Sequence, residues 1–428
     1  MRIAIVGDLQ YKEGESVEII ALDLADVKPD AVVIVGDYGY WEGFGSYEVF
    51  KHIDTEFTKT GCRVIPLIGN HDVQRAAGGR LAPVGSVEDN YLKAFGDYPA
   101  CQILDFESFR VFCLHMETQR EGDFYFENEC YLSDRTYELV CEELEKYPHK
   151  PTVMITHAPP AGCRLLTVPL VHVRASNAYL NQDHGYKKWT DLARNYRQIV
   201  MWFSGHYHMG HTYTDSSSFT DGIAYFVTGS ATSGSRDGQH HTRILDEAGG
   251  VITVSTYDHD TKRINEAPDF VMDTRVPRVA YEEPSFEGVF TAGCGRVTKL
   301  SMGANGRVYA MTDNGLLWEI DLSDRFAAGT LHYSDKFTLN DFTTDSKYVW
   351  RICGDKAFGH RYSDTNRFMR EKDWESCIFT EKKASEIIID DKNLTYKGRP
   401  ACRIDDKYIC SAFNDEKGKL FFEISKEI

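Results

Sequence analysis

Residues 63–72 read RVIPLIGNHD: an apolar run that stops at Gly69 and then presents an amide, an imidazole and a carboxylate in Asn70, His71 and Asp72. The run is short, partly β-branched and bounded by a glycine, which predicts a buried strand with polar side chains gathered at its carboxyl end. Working outward, the same arrangement recurs. Residues 2–6 lead into Gly7-Asp8, with Gln10 two positions on, and residues 31–35 lead into Gly36-Asp37. Residues 109–115 read as a strand, residues 152–155 lead into Thr156-His157, and residues 199–203 lead into Ser204-Gly205-His206-Tyr207-His208. Between these runs, residues 15–27 carry Val17, Ile20, Leu24 and Val27 at helical spacing, and residues 47–58, 134–147 and 189–196 show similar patterns. Residues 223–228 and 250–257 read as further strands. Strands alternating with helices predict stacked βαβ units and an α/β fold.

The texture changes after Asp273. Residues 274–284, with Pro277, Pro284 and the acidic Glu282-Glu283 pair, read as a linker between a first domain (1–273) and a second (285–428). Beyond it, Gly303-Ala304-Asn305-Gly306, Asp313-Asn314-Gly315, Asp390-Asp391-Lys392-Asn393 and residues 414–418 separate alternating runs, a hairpin signal. Residues 307–320, 348–362 and 408–424 resemble one another faintly, as repeats of a β-meander unit too few for a closed propeller. An antiparallel β domain is expected here.

The bulk properties limit the function classes. The 428 residues are 42% hydrophobic and 26% charged, with a formal net charge of −17, which argues against binding long nucleic acid through a broad basic face. An anionic substrate stays open, because bound cations can reverse the sign of a local site. The opening residues show no leader pattern and no run is long and apolar enough to span a membrane, so a cytoplasmic protein is expected. The eleven cysteines are scattered with no C-x-x-C pair, which reads as reduced, mostly buried thiols.

In α/β sheets, side chains at the carboxyl ends of strands leave the core and converge on a crevice. Asp8 and Gln10 lie at i and i+2, as do His206 and His208, so each pair points to one side of an extended chain. A single aspartate at a strand end is usually a cap, and a single buried histidine is usually just hydrogen-bonded in place. It is the ordered set, each member following a β run, that points to a metal site. Carboxylates, amides and imidazoles together suit borderline divalent ions.

Taken in order, Asp-x-Gln, Gly-Asp, Gly-Asn-His-Asp, Thr-His and Gly-His-x-His resemble the signature of the calcineurin-like metallophosphoesterases over residues 1–270. The resemblance implies a four-layer α/β/β/α sandwich and two divalent ions, manganese foremost, with iron, zinc or magnesium as alternatives. Asp37 would bridge them. Asp8, Gln10 and His208 would complete one site, and Asn70, His157 and His206 the other. His71 would contact the phosphate and assist the leaving group, with Asp72 behind it as a possible orienting carboxylate or as a cap for the following segment. Two such ions about 3.5–4 Å apart can share a bridging hydroxide for in-line attack on phosphorus.

The sequence departs from the pattern at Gln10, where the family usually has histidine. An amide oxygen is a weaker donor than imidazole, which favours manganese or magnesium over zinc at the first site. Gln10, with Tyr11, resembles the variant found in manganese-dependent ADP-ribose/CDP-alcohol diphosphatases. Tyr38, Tyr40 and Trp41 after the bridging aspartate would either stack a nucleobase or pack a core. Residues 161–186, long and irregular, are expected to form a specificity loop in which Arg164 or Arg174, and His172, could meet a substrate. The residues Gln239-His240-His241 match no ligand position. The expected activity is hydrolysis of a phosphodiester, phosphomonoester or diphosphate bond in a small-molecule or nucleotide substrate. A metal-binding scaffold for protein interaction and a nuclease are the competing readings.

Overall fold

The computed structural model describes the chain outside residues 15–16, 41–42, 77–79, 82–85, 97–98, 119–128, 166, 169–170, 173–176, 183–184, 186, 214–215, 277, 279–290, 293–295, 314, 316, 321–327, 333–338, 362–379, 390–393, 407, 415–418 and 427–428. Residues Met1–Leu165 with Tyr179–Tyr281 form one compact unit, and Leu166–Ala178 with Glu282–Ile428 form a second. Much of the expected linker, together with Trp41, Arg174 and His184, lies outside the described residues.

The first unit is built on two mixed sheets. The seven-stranded sheet runs Arg263–Ile264, Val251–Asp258, His241–Ala248, Arg2–Val6, Ala31–Ile34, Arg63–Pro66, with Phe270–Asp273 also paired to Val251–Asp258. Arg2–Val6, Ala31–Ile34 and Arg63–Pro66 are parallel, as the helical crossovers Val17–Val27 and Tyr47–Thr58 require. The six-stranded sheet runs Ser217–Thr220, Ile223–Val227, Ile199–Ser204, Thr152–Thr156, Arg110–Leu114, Cys101–Asp105, parallel through its centre.

Alternation along the strands decides how the sheets stack. Ile3, Ile5, Val33 and Ile65 of the first sheet and Val111, Val153, Ile155, Met201, Phe203 and Phe226 of the second share one buried cluster. The alternate residues Ala4 and Val6 are equally buried on the other face. The helix Asp134–Lys146, capped by Ser133 accepting from the Thr136 amide, flanks the second sheet. The result is the α/β/β/α sandwich. Several elements were not anticipated, among them a strand and a helix. His241–Ala248 interrupts its apolar pattern with Arg243 and Asp246, yet it pairs antiparallel with the first strand. The helix Ser86–Phe95 packs Tyr91 and Phe95 against Phe50 of Tyr47–Thr58.

In the second unit the described strands form three antiparallel sheets: Val297–Met302, Val308–Thr312, Leu317–Ile320 and Ala328–His332; Asp341–Thr344, Tyr348–Cys353, Lys356–Arg361 and Thr380–Lys383; and Leu394–Tyr396, Arg399–Arg403, Tyr408–Asn414 and Lys419–Lys426, extended by Thr291–Ala292. Each of the three similar sequence segments supplies two adjacent strands of one sheet. Val308, Ala310 and Trp318 pack with Cys410, Ala412 and Phe422, while Tyr309 and Leu317 pack with Phe342, Val349 and Phe358.

Candidate metal centre

The strand ends of both sheets in the first unit meet at one place. Asp8 follows Arg2–Val6 and Asp37 follows Ala31–Ile34, while Asn70 opens the short helix Asn70–Gln74 after Arg63–Pro66. From the other sheet, His157 follows Thr152–Thr156, and His206 and His208 follow Ile199–Ser204. Asp8, Asp37, Asn70 and His157 are completely buried, and His206 and His208 nearly so.

The motif glycines permit this approach. A Cβ on Gly69 would stand 2.2 Å from Asp37 Oδ1, and one on Gly205 would stand 2.5 Å from Asp8 Oδ2, so no side chain fits at either position. The backbone bends hard around the cluster. Gln10, Asp37, His206 and His208 have φ of 44°, 52°, 69° and 53°, in the left-handed region. Such conformations cost about 1–3 kcal/mol each and persist only where surrounding structure imposes them. Here the surroundings are explicit. The His206 amide donates to both Asp8 carboxylate oxygens at 2.9 and 2.8 Å, and the Gln10 amide to the Asp37 carbonyl at 2.8 Å. Ser230 Oγ donates to the Asp8 carbonyl at 2.7 Å.

The side chains form two linked groups. Asp8, Asp37 and His208 offer ligand atoms within 4.8 Å of one another, and Cys130, His157 and His206 do likewise. Asp37 joins them, since its Oδ2 lies 3.3 Å from His157 Nε2. His208 Nε2 is 3.2 Å from Asp8 Oδ1. The outer nitrogens of these rings are already used: His157 Nδ1 donates to the Val35 carbonyl at 2.7 Å and His208 Nδ1 to the Gly234 carbonyl at 3.2 Å. Each Nε2 therefore turns a lone pair toward carboxylate oxygens, an arrangement that calls for a proton or a cation between them.

The titration behaviour expresses the same demand. Burial pushes the Asp37 carboxyl up, but the imidazoles of His157, His71 and His208 hold it far below the usual carboxylate range. Burial pulls His157 down, but Asp37 and Asp8 raise it to about 9. Asp37 Oδ2 and His157 Nε2 are nevertheless buried without a hydrogen-bond partner among the described residues. Oxygen and nitrogen donors converging on an unsatisfied acidic pair fit divalent cations.

Residues 1–210 match the calcineurin-like phosphoesterases. This stretch of the chain is similar to that family. The chain is also similar to solved structures. A purple acid phosphatase from yellow lupin (Lupinus luteus) is 14% identical with a TM-score of 0.44, over 62% of this chain and 52% of that one; this chain thus spans about half the lupin protein's length. The protein TT1561 of Thermus thermophilus is 10% identical (TM-score 0.37, 64% of this chain and 99% of that one). Vacuolar Protein Sorting 29 from Cryptosporidium parvum is 13% identical (TM-score 0.31, 64% and 97%). No curated protein matches the chain.

Around the two ligand groups, His71 stands at the edge. Its ring stacks on Phe44 at 4.6 Å, its side chain keeps 26% exposure, and Nε2 is 4.0 Å from Asp37 Oδ2. Asp72 makes contacts of its own. Its carboxylate accepts from the amides of Asp37 (2.7 Å), Tyr38 (3.1 Å) and Gly69 (2.9 Å), so it clamps the two ligand loops together. Burial, followed by the charge of Asp37, pushes its pKa up, while the three amide donors favour its ionised form.

Other expectations resolve unevenly. Tyr38 does not line a site: it is completely buried against Phe50 and Phe95, because it points away from its neighbour Asp37. Gln10 is buried with its Cβ against Gly234. Arg164 is half-buried with φ of 59°, and His172 falls in Leu166–Ala178, which groups with the second unit. His240 pairs with Asp260, and His241 Nδ1 accepts from the His211 amide; neither belongs to the ligand groups.

Two residues escaped the sequence reading. Cys130 follows no apolar run and belongs to no motif. Arg236 donates its backbone amide to the His208 carbonyl at 2.9 Å, and desolvation lowers its pKa against the opposing pull of Asp8 and Asp37. A cleft of about 580 Å³ opens beside Gln10, lined by Tyr11, Lys12, Tyr40, Ser46, Glu48 and His52, among others. The Tyr11 and His52 rings lie 5.0 Å apart, and Lys12 Nζ sits 4.5 Å from the Tyr40 ring centre.

Proposed function

We propose that the first unit is a metal-dependent phosphoesterase acting on a small-molecule phosphoester or nucleotide, with manganese as the foremost metal. The observation that carries this reading is Asp37 Oδ2: fully buried, unsatisfied, and placed between the Asp8–His208 group and His157. Asp37, Asp8, Gln10 and His208 would hold one ion, and Asp37, Asn70, His157 and His206 the other. When bound, two dications supply Lewis acidity for the phosphoryl oxygens and a lowered pKa for water. The two carboxylates leave such a site net positive, which attracts phosphate although the chain carries −17 overall.

The chain's own residues supply the rest. His71, partly exposed and held flat by Phe44, is positioned to give a proton to the leaving oxygen. Asp72 fixes the loops bearing Asp37 and Asn70 so that the ligands are set before substrate arrives. The cleft at Tyr11 and Tyr40 offers aromatic faces beside a lysine, which suits a nucleobase with a phosphate group. With Gln10, it favours a nucleoside diphosphate linkage among the possible substrates.

The test is turnover by the full chain, stripped of metal and then resupplied with Mn, Mg, Zn or Fe(II). Bis-p-nitrophenyl phosphate, p-nitrophenyl phosphate and a panel of nucleotide diphosphate esters serve as substrates. Manganese-dependent release of nitrophenolate is expected, with faster cleavage of a nucleotide substrate. Absence of metal-dependent turnover on every member of the panel overturns the reading in favour of a binding scaffold.

A further inference from the structure

We propose that Cys130 is a ligand of the second metal, adding a thiolate to a site that the sequence signature fills only with an amide, imidazoles and a carboxylate. This rests on the metal-centre reading above.

The geometry is that of a coordination shell. Cys130 Sγ lies 3.9 Å from His206 Nε2, and the ligand atoms of Cys130, His157 and His206 all fall within 4.8 Å of one another. One ion with metal–sulfur and metal–nitrogen bonds of about 2.3 and 2.0–2.1 Å spans a sulfur–nitrogen separation of 3.9 Å. All three residues are buried. Independently of the cysteine, His157 Nε2 of this group and Asp37 Oδ2 of the adjoining one, 3.3 Å apart, are fully buried and unsatisfied, so the space that Cys130 borders already calls for a cation.

The cysteine is also held in place. Its carbonyl accepts the Asn181 amide at 2.8 Å, and the buried Asn181 side chain bonds the Leu132 amide at 2.9 Å and the Leu132 carbonyl at 2.8 Å. Asn181 adopts φ of 50° to do so. Thiolates select softer ions such as zinc, ferrous iron and cobalt over manganese and magnesium. The second site is thereby soft, beside a first site of two carboxylates, Gln10 and one imidazole, and the protein binds two chemically different ions.

The experiment loads the metal-free full-length protein with Co(II) and with Zn(II). Cobalt-loaded wild type is expected to show a thiolate-to-cobalt charge-transfer band in the near ultraviolet, and X-ray absorption of the zinc form a zinc–sulfur shell near about 2.3 Å. In C130S the band and the shell disappear, and the ratio of zinc to manganese affinity at the second site falls at least tenfold. C163S, which removes another buried cysteine, keeps all of them. Wild type that binds two ions with neither band nor sulfur shell overturns the cysteine assignment and leaves the metal centre intact. A band that survives in C130S also overturns it, and wild type that binds no ion overturns both readings. The wild-type absorption measurement decides the matter even where C130S fails to fold.

Discussion

The two sheets of the first unit bring different chemistry to their shared edge. The Arg2–Val6 sheet ends in oxygen donors, Asp8, Asp37 and Asn70, whereas the Thr152–Thr156 and Ile199–Ser204 strands end in the imidazoles of His157, His206 and His208. Neither sheet makes a site alone. Contacts across the seam join them: the His206 amide onto the Asp8 carboxylate, and His157 Nδ1 onto the Val35 carbonyl. Division of the ligands between two sheets makes the centre sensitive to how the sandwich is assembled, and it separates oxygen donors on one side from imidazoles on the other.

The largest effect should come from the oxygen side. Asp37→Asn removes the charge between both ligand groups, so activity should fall by more than the roughly hundredfold loss typical of an outer-shell partner. Bound metal should drop below two ions per chain by elemental analysis while circular dichroism is unchanged; near-normal turnover would remove Asp37 from the bridging role. His71→Asn leaves both ligand groups whole. A fall in kcat of about 10²–10⁴ is expected, with metal content intact, and loss of metal instead would place His71 in the ligand shell.

Asp72→Asn tests whether the oxygen side depends on its clamp. Metal affinity should weaken by about 10–100-fold, measured by isothermal titration, whereas an effect confined to the pH profile of kcat would return Asp72 to orienting His71. The smallest effect belongs to the imidazole side. In the metal-free protein His157 is raised to about 9, above its unfolded value near about 6.5. Its contribution to stability is therefore complete below about pH 6.5 and lost as pH rises through about 9. Thermal melts in EDTA should show a falling Tm across that window, and added divalent ion should flatten or reverse the slope because it replaces the proton. A flat profile in EDTA would mean that no proton sits between His157 and the carboxylates.

The legibility of the molecule follows the same division. Strand ends were readable because each ligand motif follows a short apolar run, and Asp8, Asp37, Asn70 and His206 are each introduced by a glycine whose need for space is local. Cys130 was not, because only the long-range pairing of residues 130–132 with Asn181 brings its thiol to the histidines. Tyr38 and Asp72 sit within the motifs, but their roles depend on which way each side chain turns at a bend, and sequence spacing does not encode that. His241–Ala248 carried too many polar residues to read as a central strand, although burial of Arg243 against Asp269 and the Val227 carbonyl accounts for one of them. In the second unit turn chemistry located the hairpins at residues 303–306 and 313–315, whereas the signal at residues 390–393 lies outside the described residues and the strands on either side of it, Thr380–Lys383 and Leu394–Tyr396, join different sheets; the grouping of strands into three sheets rests on packing between segments far apart in sequence.

That central strand has a consequence for the order in which the centre forms. Arg2–Val6, which carries Asp8, is flanked on one side by Ala31–Ile34 and on the other by His241–Ala248. The first ligand to leave the ribosome is thus among the last to be fixed, since its strand gains its second neighbour only after more than two hundred further residues have been made. Contacts of such long sequence separation slow folding, and they would make capture of a metal a late event in the life of the nascent chain.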